Sequence, residues 1–367
     1  MDLSTLLSDT LAGHRLTEEE GRFLLGATSG RDLFAIAAAA DERRRERVGE
    51  RVTFVRNQNL HVTNICKNTC GFCGFGRSPG APGTYLFGEE EVRQKASLAR
   101  ERGVTEICPL SGVHPDFTLD TYVDLITWIL EGAPGVDVHF CSPEEVSFVA
   151  AKAGISTIEV LKRLREAGLG TLQGTAAEIL VDEVRRVICP RKCDTATWLC
   201  VIREAHAMGI RSTATIMYGA GETVADRVRH LALLREVQDE YGGFTELVPL
   251  TFIHQNTPLY RAGRAPPGAT GREDLLLIAV ARLFLDNFDH VQVSWGKVGP
   301  KMASLLLLAG GDDLGGTMFE DEVTVEAGAG EASYMDPATM ARIAADLGRT
   351  LWQRSTTYDL LREEPSP

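Results

Sequence analysis

From residue 52 onward, short apolar runs alternate with longer charged segments of helical period, and this alternation sets the expected fold. Val52 to Ile65 reads as a strand, and Glu89 to Arg102 as an amphipathic helix that stops before Gly103. Glu106 to Gly112 is an apolar strand followed by a helix at 118–131, and Val136 to Cys141 a strand followed by helices at 143–153 and 156–167. The pattern continues with a strand at Thr171 to Leu180, a helix at Thr195 to Met208, a strand at Ser212 to Tyr218 and a helix at 223–241. Phe244 to Ile253 with a helix at 272–287, Val291 to Trp295 with a helix at 299–309, and a short strand at Asp313 to Thr317 complete it. Roughly eight strand–helix units over ~250 residues predict an α/β fold, a (β/α) TIM-type barrel with a parallel sheet wrapped by helices.

The expected organisation is an N-terminal helical cap over 1–50, the barrel over 51–318, and a C-terminal extension over 319–367 that packs on it. The cap is predicted as two helices between residues 3 and 47, one opening on the capping-box-like Thr17-Glu18-Glu19-Glu20. The extension is predicted as an acidic segment, a helix near Asp336 to Gly348 and an irregular end.

An apolar fraction of 44 % with 24 % charged residues suits an ordinary globular protein, and no apolar run has the length of a membrane span. Met1-Asp2-Leu3-Ser4-Thr5 lacks the basic start of a secretory signal, so a cytoplasmic location is expected. A net charge of −13 argues against nucleic-acid binding. The run Arg43-Arg44-Arg45-Glu46-Arg47 is balanced by Asp41, Glu42 and Glu50 and reads as a solvated helix face. Small-molecule chemistry is the expectation.

The candidate chemistry concentrates in Cys66-Lys67-Asn68-Thr69-Cys70-Gly71-Phe72-Cys73, directly after the first strand. Spacings this tight let soft thiolates converge on one inorganic centre. A closed zinc site wants four ligands, and no second Cys or Cys/His pair stands at matching spacing; a zinc-stabilised binding protein is the alternative from a different class. Cys108, Cys141, Cys189, Cys193 and Cys200 show no spacing for a further cluster and read as structural thiols.

Cys66, Cys70, Phe72 and Cys73 resemble the signature of the radical S-adenosylmethionine enzymes. That resemblance implies a 4Fe-4S cluster on Cys66, Cys70 and Cys73, whose open iron holds S-adenosyl-L-methionine, with Phe72 against the adenine. A closer resemblance, over Asn57 to Tyr358, is to the group containing CofH, of deazaflavin synthesis, and aminofutalosine synthase. It rests on Thr63-Asn64-Ile65-Cys66, Gly112-Val113-His114-Pro115-Asp116, Ser142-Pro143-Glu144-Glu145, Gly174-Thr175-Ala176-Ala177-Glu178-Ile179 and Gly242-Gly243-Phe244-Thr245-Glu246, among others. Gly174 to Glu178 and Asp313-Leu314-Gly315-Gly316-Thr317 are more similar to the CofH side. This implies cleavage of the Cα–Cβ bond of L-tyrosine and transfer of its 4-hydroxybenzyl group to C5 of 5-amino-6-(D-ribitylamino)uracil, towards the F420 chromophore. The partners implied are a CofG-like enzyme and an electron donor such as flavodoxin or ferredoxin. Aminofutalosine synthase is the alternative within the group. Departures at Leu110-Ser111 and Ala220-Gly221 leave open a paralogue with another acceptor.

A barrel gathers its chemistry at the carboxyl ends of its strands, which marks the remaining candidates. Glu178 is a candidate for the amino group or ribose of the cofactor. For Ser142 and Glu144, ribose contact and helix capping are both open. No catalytic residue is singled out; the candidates are His114, Tyr218 and His254, with Tyr218 and Trp295 divided between stacking on substrate and core packing.

Overall fold

The computed structural model describes residues 1–330 and 333–365. Of the predicted C-terminal extension, residues 331–332 and 366–367 therefore lie outside the described residues.

The N-terminal cap holds three helices rather than two: α1 (Leu3–Leu11), α2 (Glu18–Leu25) and α3 (Gly30–Val48). The extra break falls at 26–29, where Ser29 caps α3 by accepting from the Asp32 amide at 3.1 Å. Thr17 opens α2 with a capping box closed by Glu20. Each cap satisfies amides that a helix leaves unpaired at its start.

The barrel begins with β1 (Arg51–Val55) and β2 (Asn57–Leu60), two halves of one strand kinked at Arg56. There follow α4 (Glu89–Glu101), β3 (Glu106–Pro109), α5 (Leu119–Gly132), β4 (Asp137–Phe140), α6 (Pro143–Ala153), α7 (Thr157–Ala167) and β5 (Thr171–Leu172). The chain continues through α8 (Asp182–Ile188), α9 (Thr195–Ala207), β6 (Ser212–Tyr218), α10 (Val224–Tyr241) and β7 (Phe244–Thr251). α11 (Pro258–Arg261), α12 (Gly271–Phe284), α13 (Trp295–Leu307) and β8 (Asp313–Gly316) complete the circuit.

The order β2-β3-β4-β5-β6-β7 is parallel throughout. Parallel bridges Leu247–Val291 and Gln292–Asp313 carry the ring onward. Pairing of β8 with β1, and of Phe319 with Gln58, returns it to the first strand. The α/β barrel expected from the alternation is the architecture found.

Several strands and helices predicted for the barrel also differ. The strand predicted over Thr171 to Leu180 is regular only at Thr171–Leu172. At Gly174 the backbone presses on β6 so closely that a Cβ would lie 2.1 Å from the Thr213 carbonyl oxygen, and beyond it Ala176 and Glu178 take φ of 66° and 43°. The predicted strand at Val291 to Trp295 is reduced to single bridges, with Trp295 already opening α13. α13 itself is broken at Gly299, where φ is 78°.

After the barrel come α14 (Glu322–Ala327), α15 (Pro337–Asp346), β9 (Thr350–Arg354) and β10 (Leu360–Glu363). The end predicted as irregular is thus a small antiparallel pair, with β9 added in parallel to β1. β9 delivers Arg354 into the floor of the barrel, where its guanidinium reaches Asp313 Oδ2 at 2.6 Å and Glu246 at 3.4 Å. With the floor plugged by ion pairs, the ends of the strands opposite it are left for chemistry. Among the described residues no helix is long and apolar enough to cross a membrane.

Candidate active site

The cysteine loop leaves the top of β2 and is pinned from several sides. The Cys66 amide donates to the Arg77 carbonyl at 2.8 Å, Lys67 to Val113 at 2.9 Å and Gly71 to Ile188 at 2.9 Å. Gly112 makes this possible: a Cβ there would sit 2.3 Å from the Ile65 carbonyl oxygen. Cys66, Cys70 and Cys73 all line one cavity of about 260 Å³, together with Phe72, Ser142, Glu144 and Glu178.

The donor set fits a multi-iron cluster. Three thiols share the cavity, and the Gly76 amide donates to Cys73 Sγ at 3.3 Å, an N–H···S contact that stabilises a ligating thiolate. A further orphan group points to a ligand: the Ser111 hydroxyl lines the cavity and is buried without a hydrogen-bond partner.

Glu144 is almost wholly engaged by protein. Its Oε1 accepts from Asn68 Nδ2 at 2.7 Å and Lys67 Nζ at 3.3 Å, and its Oε2 from the Cys193 amide at 2.6 Å. Burial raises its pKa, but the bonds from Asn68 and Cys193 and the nearby Lys192 and Lys67 outweigh it and hold the carboxyl below its ordinary range. Ser142 stands at the N-cap of α6, its amide and hydroxyl both donating to Glu145 Oε2, at 2.7 and 2.9 Å. Burial pushes Glu145 up to about 7 despite those bonds.

Glu178 sits on the left-handed turn beyond β5 and is ion-paired to Lys192. The Lys192 ammonium also lies 5.2 Å above the centroid of the Phe72 ring. Burial depresses the Lys192 pKa, yet Glu178, Cys70 and Cys189 more than restore it and keep it above the ordinary lysine value. Behind this turn Arg185 donates to the Ala177 and Ala176 carbonyls, at 2.5 and 3.0 Å. The Leu180 amide donates to His230 Nδ1 at 3.0 Å.

The candidates chosen for position at strand ends stand around this cavity without lining it, and Trp295 lines the neighbouring cavity that shares Ile253 and Lys297 with it. His114 Nδ1 accepts from the Asp116 amide at 3.1 Å, and its ring stacks 5.0 Å from Phe117. The buried Tyr218 hydroxyl donates to Asp274 Oδ1 at 2.8 Å. His254 packs edge-on against Tyr260 at 4.4 Å, while its neighbour Ile253 faces the cavity. Trp295 donates from Nε1 to the Gly316 carbonyl at 2.9 Å. Of the two departures from the family pattern, Leu110-Ser111 lines the cavity; Ala220 packs behind it with Cys70, Ile188 and Met217.

Lys192, Lys297, Gln173 and Asn68 also line the cavity and were not candidates in the sequence. Gln173 Nε2 ties the ends of β3 and β4 by donating to the carbonyls of Pro109 at 2.9 Å and His139 at 2.8 Å. Lys297 hydrogen-bonds Thr324 Oγ1 at 3.1 Å, and burial pushes its pKa down against the pull of Asp321, Cys73 and Glu178. For Lys297 the available signal was a lone lysine in the largely apolar run Val293-Ser294-Trp295-Gly296-Lys297-Val298; for Lys192, within Arg191-Lys192-Cys193-Asp194, the sequence carried none.

Known proteins resemble this chain over nearly its whole length. A model of the radical SAM superfamily matches residues 60–234, and one of the CofH/MqnC C-terminal region matches 241–365. The two meet within α10 and so divide one continuous barrel. The chain is 62 % identical over 359 residues to 5-amino-6-(D-ribitylamino)uracil–L-tyrosine 4-hydroxyphenyl transferase of Methanoculleus marisnigri, covering 98 % of both chains. It is 42 % identical to FO synthase of Mycobacterium leprae, covering 96 % of this chain but 42 % of that longer one. In fold it resembles the crystal structure of HydG, a maturase of the [FeFe]-hydrogenase, with a TM-score of 0.75, 19 % identity, and coverage of 95 % and 76 %. The chain therefore belongs to the radical SAM superfamily and, within it, to the family of the 5-amino-6-(D-ribitylamino)uracil–L-tyrosine 4-hydroxyphenyl transferases.

Proposed function

We propose that the protein cleaves the Cα–Cβ bond of L-tyrosine and transfers the 4-hydroxybenzyl group to C5 of 5-amino-6-(D-ribitylamino)uracil, a step in making the deazaflavin chromophore. The observation that carries this reading is the convergence of Cys66, Cys70 and Cys73 with Phe72 and Glu178 on one cavity at the open end of the barrel.

Cys66, Cys70 and Cys73 would hold a 4Fe-4S cluster, and Phe72 would lie along S-adenosylmethionine. When bound, the two supply a 5′-deoxyadenosyl radical that takes a hydrogen atom from tyrosine. The chain's own residues bind, orient and exclude. Glu178, held by Lys192, presents a carboxylate to the amino group or ribose of S-adenosylmethionine. Glu144 positions the cysteine loop through Asn68, and Ser142 sets the start of α6 through Glu145. Val323 and Ala327 of α14 close over the cavity beside Leu250, Phe252 and Ile253, an apolar surround that keeps water and stray hydrogen donors from a radical.

A CofG-like enzyme is the partner that closes the product to the deazaflavin. FO synthase, in which a region like this chain fills 42 % of a longer protein, supports that division. An electron donor such as flavodoxin or ferredoxin reduces the cluster, and the cytoplasm is the compartment that keeps its thiols reduced.

The test is an omission assay. Reconstituted protein with S-adenosylmethionine, a reductant, tyrosine and the ribitylaminouracil should give an adduct heavier than the acceptor by a hydroxybenzyl group, and none when either substrate is omitted. Tyrosine left intact while an enolpyruvyl nucleoside is consumed would instead identify an aminofutalosine synthase.

A further inference from the structure

Lys297 stands where the cluster cavity meets a second cavity of about 550 Å³, and it lines both, as does Ile253. It is carried just inside α13, and its ammonium has one hydrogen bond, to Thr324 Oγ1 of α14 at 3.1 Å. Among the described residues it forms no ion pair. The carboxylates of the cavity are committed elsewhere: Glu178 to Lys192, Glu144 to Asn68, Lys67 and the Cys193 amide, and Glu145 to Ser142. Asp321, the carboxylate that attracts Lys297 most, accepts from the Thr324 amide at the start of α14 and is not within ion-pair distance. The half-buried ammonium thus stands between two cavities with no carboxylate paired to it, an arrangement that costs free energy until an anionic ligand arrives.

We infer that Lys297 is the residue that binds the α-carboxylate of the amino-acid substrate. This rests on the function proposed above. Of the two substrates, the ribitylaminouracil presents hydroxyls and ring amides but no fixed anion, whereas tyrosine carries a carboxylate at any physiological pH. A lysine ammonium matches it as a point charge with three donors. The position agrees, because the neck between the cavities is where a substrate reached by the cofactor on one side can meet an acceptor admitted from the other. S-adenosylmethionine carries the same carboxylate chemistry, so the experiment separates the two.

Binding is measured by titration calorimetry on cluster-loaded, unreduced protein, first with S-adenosylmethionine alone, then, in its presence at saturation, with tyrosine and with tyramine, the analogue lacking the carboxylate. Lys297→Met should weaken tyrosine roughly 10- to 100-fold, the loss of one charge-assisted bond. Tyramine affinity should stay unchanged, so that the preference for tyrosine collapses. Lys297→Arg should restore most of the tyrosine affinity, and Lys297→Gln serves the same comparison if the methionine variant does not fold. Unchanged tyrosine affinity in the neutral variants would overturn the inference. So would an equal loss for tyramine, or a loss confined to S-adenosylmethionine. Wild-type protein that bound no tyrosine would overturn the proposed function, and this inference with it.

Discussion

The Asn68 side-chain amide donates to the Glu144 carboxylate at 2.7 Å, so the middle of the cysteine loop is tied to the first turn of α6, whose strand is two places away in the sheet. Between Cys66 and Cys70, Asn68 fixes the path by which two thiols enter one cavity. Removing its acceptor with Glu144→Ala should weaken cluster retention about 10- to 100-fold, as expected when support behind a metal ligand is lost. Chelator challenge of reconstituted protein, following iron and sulfide per chain, measures this. Wild-type retention would contradict the positioning role.

Gly112 carries the complementary constraint. A Cβ there would lie 2.3 Å from the Ile65 carbonyl oxygen and 3.0 Å from Cys66 Cβ, so Gly112→Ala must push the cysteine loop away. The expected cost is about 1–3 kcal/mol of stability from overpacking, with a fall in iron content on reconstitution. Chemical denaturation and iron analysis check both, and an alanine variant with wild-type values for each would show that the close approach is dispensable.

The three cysteines and their chemistry were legible in the sequence because their spacing alone brings sulfur together, and the barrel because its alternation of strands and helices is regular. What was not legible depends on where a loop returns. Lys192 reaches Glu178 only because α8 and the loop after it fold back over the cavity, and no periodicity announces that. Tyr218 and Trp295 are at the right end of the barrel, but a side chain at a strand end points either way. Here the Tyr218 hydroxyl finds Asp274 and the Trp295 nitrogen finds Gly316. The tail showed no strand pattern because β9 and β10 are short and β10 is exposed throughout.

His230 gives the acid response a sign. It is fully buried, accepts from the Leu180 amide, and burial holds it down to about 3 from an ordinary value of 6.5. The unfolded chain therefore takes up a proton that the folded one refuses. The stability His230 contributes is present above pH ~6.5 and is lost as pH falls towards the folded value, at about 1.4 kcal/mol per pH unit. Glu145 and Glu246, each raised to about 7, act in the opposite direction, so the difference between wild type and His230→Asn is the readout. Urea denaturation from pH 7 to 5 should show a gap that shifts in the variant's favour as pH falls. Parallel curves would contradict the assignment.

The floor of the barrel should depend on its plug. Arg354→Met leaves Asp313 and Glu246 buried without their cation, which costs about 3–5 kcal/mol, and adding Asp313→Asn should recover part of that. Urea denaturation of the single and double variants measures both; a single-variant loss below about 1 kcal/mol would show the pair to be incidental.

The central claim, that this cavity moves the benzyl carbon of tyrosine onto a uracil ring, is tested most directly with tyrosine carrying 13C at Cβ. The account predicts that the label appears as the methylene carbon attached to C5 of the uracil, in a product formed only when Cys66, Cys70 and Cys73 are intact. Label recovered in unreacted tyrosine while S-adenosylmethionine is consumed, or label joined to any other position or acceptor, would contradict it.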